Sequence, residues 1–217
     1  MLHFTQHASK QYEQALNGLL ASLLAMGEKA RGMIAHAGAA LTGAPDQAPA
    51  AKALDKEINA LETQVEQQVT ALLTRHAMMA DELRFVLCAI RIASHLERVG
   101  DMAKNTVKRI GKMPVPIPKE LQANYAAMAK STDAMVAQAI GLIENYNQET
   151  ALSVCRSDDE VDGRYKDIVL AAQRAVPAEA LAPFLFLAKN LERMADYASS
   201  VAKEAAYIHT GQKLVVS

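Results

Sequence analysis

Two stretches of this chain repeat each other at a fixed offset, and that duplication limits the folds open to it more than any other feature. Shifted by 95 positions, Ala93-Ser94-His95-Leu96-Glu97-Arg98-Val99-Gly100-Asp101 lies over Ala188-Lys189-Asn190-Leu191-Glu192-Arg193-Met194-Ala195-Asp196. The two strings share Ala, Leu, Glu, Arg and Asp; beyond them Ala103 matches Ala198 and Lys108 matches Lys203. At an offset of 103, Asp55-Lys56-Glu57-Ile58-Asn59 lies over Asp158-Asp159-Glu160-Val161-Asp162. The fold must therefore use one supersecondary unit twice.

That unit is helical. Apolar residues such as Ile92, Leu96, Val99, Ala103, Val107 and Ile110 keep helical spacing, whereas strand-like alternation is missing. Gly and Pro together make up only 17 of 217 residues and Trp is absent, a composition that favours helix. Breaks fall at 38–49, 78–81, 111–118, 145–148 and 176–177. They predict six helices near 4–37, 50–78, 81–110, 119–144, 149–174 and 178–209. The stretch Pro114-Val115-Pro116-Ile117-Pro118 cannot continue a helix. We therefore expect an all-α chain of two tandem three-helix bundles, 1–112 and 119–217, joined by a proline-rich linker at 113–118.

If the second and third helices of each half form an antiparallel hairpin, residues equidistant from its turn lie level with one another. The midpoint of Asp55 and Asp101 is position 78, as is that of Asn59 and Glu97, and Met78 opens the first predicted turn. For Asp158 with Asp196, and Asp162 with Glu192, the midpoint is Pro177. Each half thus brings a D-x-x-x-[DN] pair opposite an E-x-x-x-D pair.

Like charges four residues apart destabilise an isolated helix by ~0.2–0.5 kcal/mol per pair, so an offsetting cation is expected. One candidate is a metal ion, because hard cations take several carboxylate oxygens and bundles supply them from facing helices. The other is local neutralisation by Arg98 and Lys104 around Asp101 and by Arg193 near Asp196. On this reading the candidate metal residues are Asp55, Asn59, Glu97 and Asp101 in the first half and Asp158, Asp162, Glu192 and Asp196 in the second. The metal could be Fe, Zn, Mn or Mg. Asn59 offers a neutral oxygen where Asp162 offers a charged one, so the second site should bind more tightly.

The strings LRFVLCAIRIASHLERVGDMAKN and LFLAKNLERMADYASSVAKE, with DKEINALE and DDEVDGRY, resemble the duplicated motifs of the PhoU family. The resemblance covers almost the whole chain. It implies two similar three-helix bundles and a cytoplasmic negative regulator of phosphate uptake and phosphate-starvation signalling. Such a regulator works by contact with a phosphate ABC transporter and a sensor histidine kinase, peripheral to the inner membrane, and the family reading implies a homodimer. Members with E(D)-x-x-x-D motifs can hold metal-ion clusters. The chain departs from the pattern at Asn59, at Ser200 where the first repeat has Asn105, and at Ala195 in place of the motif glycine.

The remaining features exclude more than they add. A formal charge of -1 lacks the basic footprint of a nucleic-acid binder. No apolar run approaches the ~20 residues of a spanning helix, and Met1 to Lys10 does not read as a signal peptide. Cys88 and Cys155 are expected to be free thiols. The alternative to a regulator is a carboxylate-bridged metalloenzyme. Ferritin-like sites use Glu-x-x-His, however, and neither Glu97 nor Glu192 is followed by histidine three residues on. No nucleophile is paired with a base, so no enzymatic activity is expected. Arg84, Arg91, Arg98 and Arg109 form a basic stripe, read either as a solvated face or as a docking face for an acidic kinase surface or anionic lipid.

Overall fold

A computed structural model describes residues 10–215 of the chain. Its elements are α1 (Lys10–Leu41), α2 (Ala48–Arg75), α3 (Ala80–Ile110), α4 (Lys119–Glu144), α5 (Gln148–Ala175), a 3₁₀ turn (Ala178–Ala180) and α6 (Leu181–Thr210). Strands are absent among the described residues. The expected start of the first helix at residue 4 lies outside them.

Two boundaries differ from expectation. α1 continues through Gly38 to Leu41, because Ala39, Ala40 and Leu41 are strong helix formers and Gly38 packs against Ala129 of α4. It stops at Gly43, whose φ of 86° suits glycine. α6 begins three residues later than expected. Pro183 is its third residue, in the first turn, where a missing N–H costs no helical bond, and Ala178–Ala180 is a 3₁₀ turn.

α2 and α5 are the outer helices, and their burial shows the same duplication. In α2 Ala51, Ile58, Val65 and Val69 are buried, and in α5 the residues 103 positions on, Val154, Val161, Ile168 and Ala172, are buried too. Each is a single stripe at near-heptad spacing, leaving the rest of the helix polar. α1, α3, α6 and α4 pack in a ring, α1 on α3, α3 on α6, α6 on α4 and α4 on α1; α2 lies against α1 and α3, and α5 against α4 and α6. α3 and α6 are antiparallel, since Arg84 reaches Ile208 near the end of α6 while Arg109 lies over Phe186 near its start. Buried side chains from all six helices form one core, which includes Ile117 of the linker and all of Met26, Met33, Met128, Met135 and Met194.

The ends of the helices are tied by specific bonds. Glu82, buried in the first turn of α3, accepts from the Met79 N–H and from the Tyr12 hydroxyl, both at 3.0 Å. Asn147 caps α5 by accepting from the Thr150 N–H at 2.8 Å. Tyr125 of α4 donates to the Phe184 carbonyl at 2.7 Å, fixing the start of α6.

Gly27 marks the tightest approach of α1 and α4. A Cβ there would lie 2.2 Å from Ile140 Cδ1 and 2.5 Å from Cγ1, so any side chain at 27 forces Ile140 to move. Gly27→Ala gains ~1 kcal/mol of helix propensity but overpacks a buried seam, an effect of about 1–3 kcal/mol. A net loss of about 1 kcal/mol is expected in urea unfolding. Combining it with Ile140→Ala should cost less than the two separate losses added, whereas strict additivity would show that the contact is not what the glycine relieves.

Candidate functional site

The two hairpin turns fall where the spacing of the acids places them. α2 ends at Arg75 and α3 begins at Ala80, while α5 ends at Ala175 and α6 begins at Leu181, so both turns are centred close to the predicted midpoints. Asp55 and Asp101 meet across the α2–α3 seam, and Asp158 lies close enough to Asp162 and Asp196 on the α5–α6 seam to feel both charges. The two seams nevertheless differ in what lies between the acids.

In the first seam the space is taken by an ammonium group. Lys104 Nζ donates to Asp55 Oδ1 at 2.7 Å and to Asp101 Oδ1 at 2.6 Å. Burial pulls the Lys104 pKa down, but these two hydrogen bonds outweigh it and hold the group above its ordinary value. Glu97 is half-buried beside them, and its pKa is raised by desolvation, then by the charges of Asp101 and Glu62. Glu62 is the acid that the motif spacing missed. It stands on α2 seven residues after Asp55, which keeps it on nearly the same face of the helix, and its own pKa is raised by burial and by Glu66. Asn59 is exposed, and its backbone carbonyl accepts from Thr63.

The second seam has no lysine at the corresponding place. Ser199, 95 positions after Lys104, is buried and donates weakly to Cys155 Sγ at 3.5 Å. Above it Asp158 is held up to about 6 by desolvation first, then by repulsion from Asp196 and Asp162, with Lys203 opposing the shift. Asp196 is raised by desolvation and by Asp162, against Lys189, Arg193 and Lys203. Two buried oxygens, Asp158 Oδ1 and Glu192 Oε2, have no hydrogen-bond partner. Glu192 Oε1 is taken by Lys189. Arg193, expected to neutralise Asp196, has its guanidinium 3.4 Å from the Tyr197 hydroxyl. Among the described residues, no three His, Cys, Asp or Glu side chains stand together as a ready ligand set.

Gly100 and Ala195 show how the motif tolerates its variation. A Cβ at Gly100 would come within 2.9 Å of Ile58; in the other repeat the smaller Val161 stands where Ile58 does, which leaves room for the Ala195 methyl. The basic stripe is largely engaged within the molecule. Arg91 donates to Glu204 at 2.7 Å, Arg109 lies 4.5 Å above the Phe186 ring, and Arg84 leans on the end of α6. His95 is half-buried and stacked on Tyr197, and its pKa is lowered by that burial. Both cysteines are free and buried. Burial pushes the Cys88 thiol up to about 12, so it is inert as a nucleophile near neutral pH.

A chain built as a duplicated three-helix unit, with one carboxylate-rich seam between the second and third helices of each copy, defines a class of two-repeat helical-bundle protein. The PhoU domain matches it twice, at residues 23–110 and 125–205, once in each half. The chain belongs to the PhoU family. A phosphate-specific transport system accessory protein PhoU homolog from Caulobacter vibrioides is 31% identical over 97% of this chain and 94% of its own length. A protein of the same description from Rhizobium meliloti is 30% identical, over 94% and 90%. The fold is shared with PhoU from Pseudomonas aeruginosa, at a TM-score of 0.84 and 23% identity over 93% of this chain and 100% of that one. It is shared equally with the phosphate transport system regulatory protein PhoU from Streptococcus pneumoniae, at 0.83 and 23% over 95% and 100%.

Proposed function

We propose that this chain is a non-enzymatic negative regulator of phosphate uptake and phosphate-starvation signalling, acting in the cytoplasm by contact with a phosphate ABC transporter and its sensor histidine kinase. The observation that carries this reading is the match, over nearly the full length of both partners, to accessory proteins of phosphate-specific transport systems. Among the described residues, no helix is long and apolar enough to cross a membrane, which agrees with a peripheral role. Deleting the gene is expected to raise a phosphate-starvation reporter severalfold in phosphate-rich medium, with the wild-type gene restoring repression. A reporter that stays silent after deletion would contradict the assignment.

The same reading includes metal binding, and the two seams fit it unequally. At the second, Asp158, Asp162, Glu192 and Asp196 would hold the ion, because two of their oxygens are buried without a partner and such groups are costly to leave unsatisfied. An all-oxygen donor set suits Mg, Mn or Fe better than Zn, which favours nitrogen and sulfur. When bound, the ion supplies positive charge between α5 and α6. At the first seam Asp55, Glu97 and Asp101, with Asn59, would be the ligands, but the Lys104 ammonium already provides that charge. The second seam is therefore the stronger site.

A further inference from the structure

We infer that the groove between the first half of α3 and the end of α6 is the docking site for an acidic amphipathic helix of a partner protein. The inference deepens the proposal of regulation by contact and rests on it. Met79, Leu83, Leu87 and Ile90 follow one another at spacings of four, four and three residues, and all are between 38% and 60% exposed. Three large apolar side chains on one exposed face of α3, with Met79 just before its first turn, are more than scattered exposure. They extend over about 16 Å at 1.5 Å per residue, the length of roughly three helical turns.

The surface is concave and positively charged. Leu83 and Leu87 face Tyr207 and Leu214 across a groove of 770 Å³. Arg84, Lys203 and Lys213 stand along it, and its end is closed by Arg91, whose charge is met by Glu204. Among the described residues Arg84 and Lys213 have no carboxylate partner, whereas the Lys203 charge also acts on Asp158 and Asp196, so the apolar floor is bordered by a net positive charge. At the opposite end of the α3–α6 pair the exposed apolar residue, Phe186, already carries the Arg109 guanidinium on one face of its ring. A flat anionic bilayer cannot enter a groove, and a small anion would leave the apolar floor of Leu83, Leu87 and Leu214 unused. A helix with apolar residues at i, i+3 or i+4 and i+7, flanked by Asp and Glu, matches both the stripe and the charge.

The test places a photo-crosslinking benzoylphenylalanine at Leu87 in the full chain in its own cells, with Lys166 on exposed α5 as the control position. After irradiation, the crosslinked peptides are sequenced by mass spectrometry. The expected product is a segment of another protein that is net acidic and has apolar residues at helical spacing. Crosslinks only to a second copy of this chain, only to lipid, to a segment without that pattern, or no more than at Lys166 would overturn the inference. The crosslinked segment, made as a labelled peptide, should lose at least tenfold in affinity toward Leu83→Glu/Leu87→Glu. It should lose severalfold toward Lys213→Glu, and severalfold again when ionic strength rises from about 0.05 to about 0.5 M. The exposed positions make these variants foldable, which circular dichroism checks, and unchanged affinity in folded variants rejects the site. If deletion raises the reporter while the Leu83→Glu/Leu87→Glu chain represses it fully, the docking site is wrong and the phosphate reading stands. A silent reporter with the expected crosslink removes the phosphate reading alone.

Discussion

Metal binding at the α5–α6 seam is expected to switch on as pH rises through about 6, and Asp158→Asn is expected to remove both the binding and its pH dependence. Asp158 titrates near 6 because burial and the neighbouring charges of Asp196 and Asp162 oppose its ionisation, and a cation competes with that proton. The sign for stability is opposite to that of a salt-bridged carboxylate. The folded pKa lies above the ordinary value of ~3.9, so the protonated form is the one the metal-free fold favours. That contribution is present below about pH 4 and is lost as pH climbs to about 6. Raising the carboxyl from its ordinary value to about 6 corresponds to ~3 kcal/mol at full value, and screening of this partly exposed group reduces it to about 1–2 kcal/mol. In chelator, Asp158→Asn should therefore be more stable than the native chain by about 1–2 kcal/mol at pH 7 and nearly equal to it at pH 4. With Mn²⁺ at pH 7 the order should reverse, since losing a charged ligand lowers affinity about 10–100-fold or more. Calorimetric titration at pH 5 and 7, with urea unfolding at pH 4 and 7, reads all of this. Affinity independent of pH, or of Asp158, would reject the seam as a metal site.

How far the sequence led depends on which forces set each feature. The level pairing of Asp55 with Asp101 and the approach of Asp158 to Asp196 were legible because each follows from a turn position and helical rise, both local. The buried stripes of α2 and α5 were legible in the same way, through the 103-residue offset. The packing of α3 against α6 was not, because it depends on how two amphipathic surfaces from distant halves fit together, with Arg91 meeting Glu204 and Arg109 meeting Phe186. The arginine periodicity that suggested a continuous basic face was real, but the structure spends most of it on internal contacts. The late start of α6 was readable in principle from Pro183. Glu62 was readable from its seven-residue spacing to Asp55. The most consequential omission was one step in the repeat itself: between the matched pairs Ala103/Ala198 and Lys108/Lys203 the sequences differ at Lys104 and Ser199, and a difference draws less attention than a match.

That single difference should decide which half binds metal. A lysine ammonium between Asp55 and Asp101 is a built-in cation with a geometry already satisfied, and an incoming ion must displace it against two charge-assisted hydrogen bonds. Replacing it with the residue of the other repeat, Lys104→Ser, leaves Asp55 and Asp101 facing each other with Glu97 and Glu62 nearby. Adding Asn59→Asp supplies the charge that the first half lacks relative to Asp162. The double variant is expected to acquire a second Mn²⁺ site with affinity at least tenfold above that of the native first seam, because hard-cation affinity rises with ligand charge. Without metal it should be less stable than the native chain, since carboxylates that shared an ammonium now repel one another. The converse change, Ser199→Lys, should extinguish the α5–α6 site by giving Asp158 and Asp196 an internal partner. Ser199 is buried, so this variant must first be shown to unfold cooperatively, and the Lys104→Ser/Asn59→Asp protein tests the argument without it. Lys104→Ser/Asn59→Asp binding no more Mn²⁺ than the native chain would show that the lysine is not what separates the two halves. A native chain whose halves fill together would show that they were never separated.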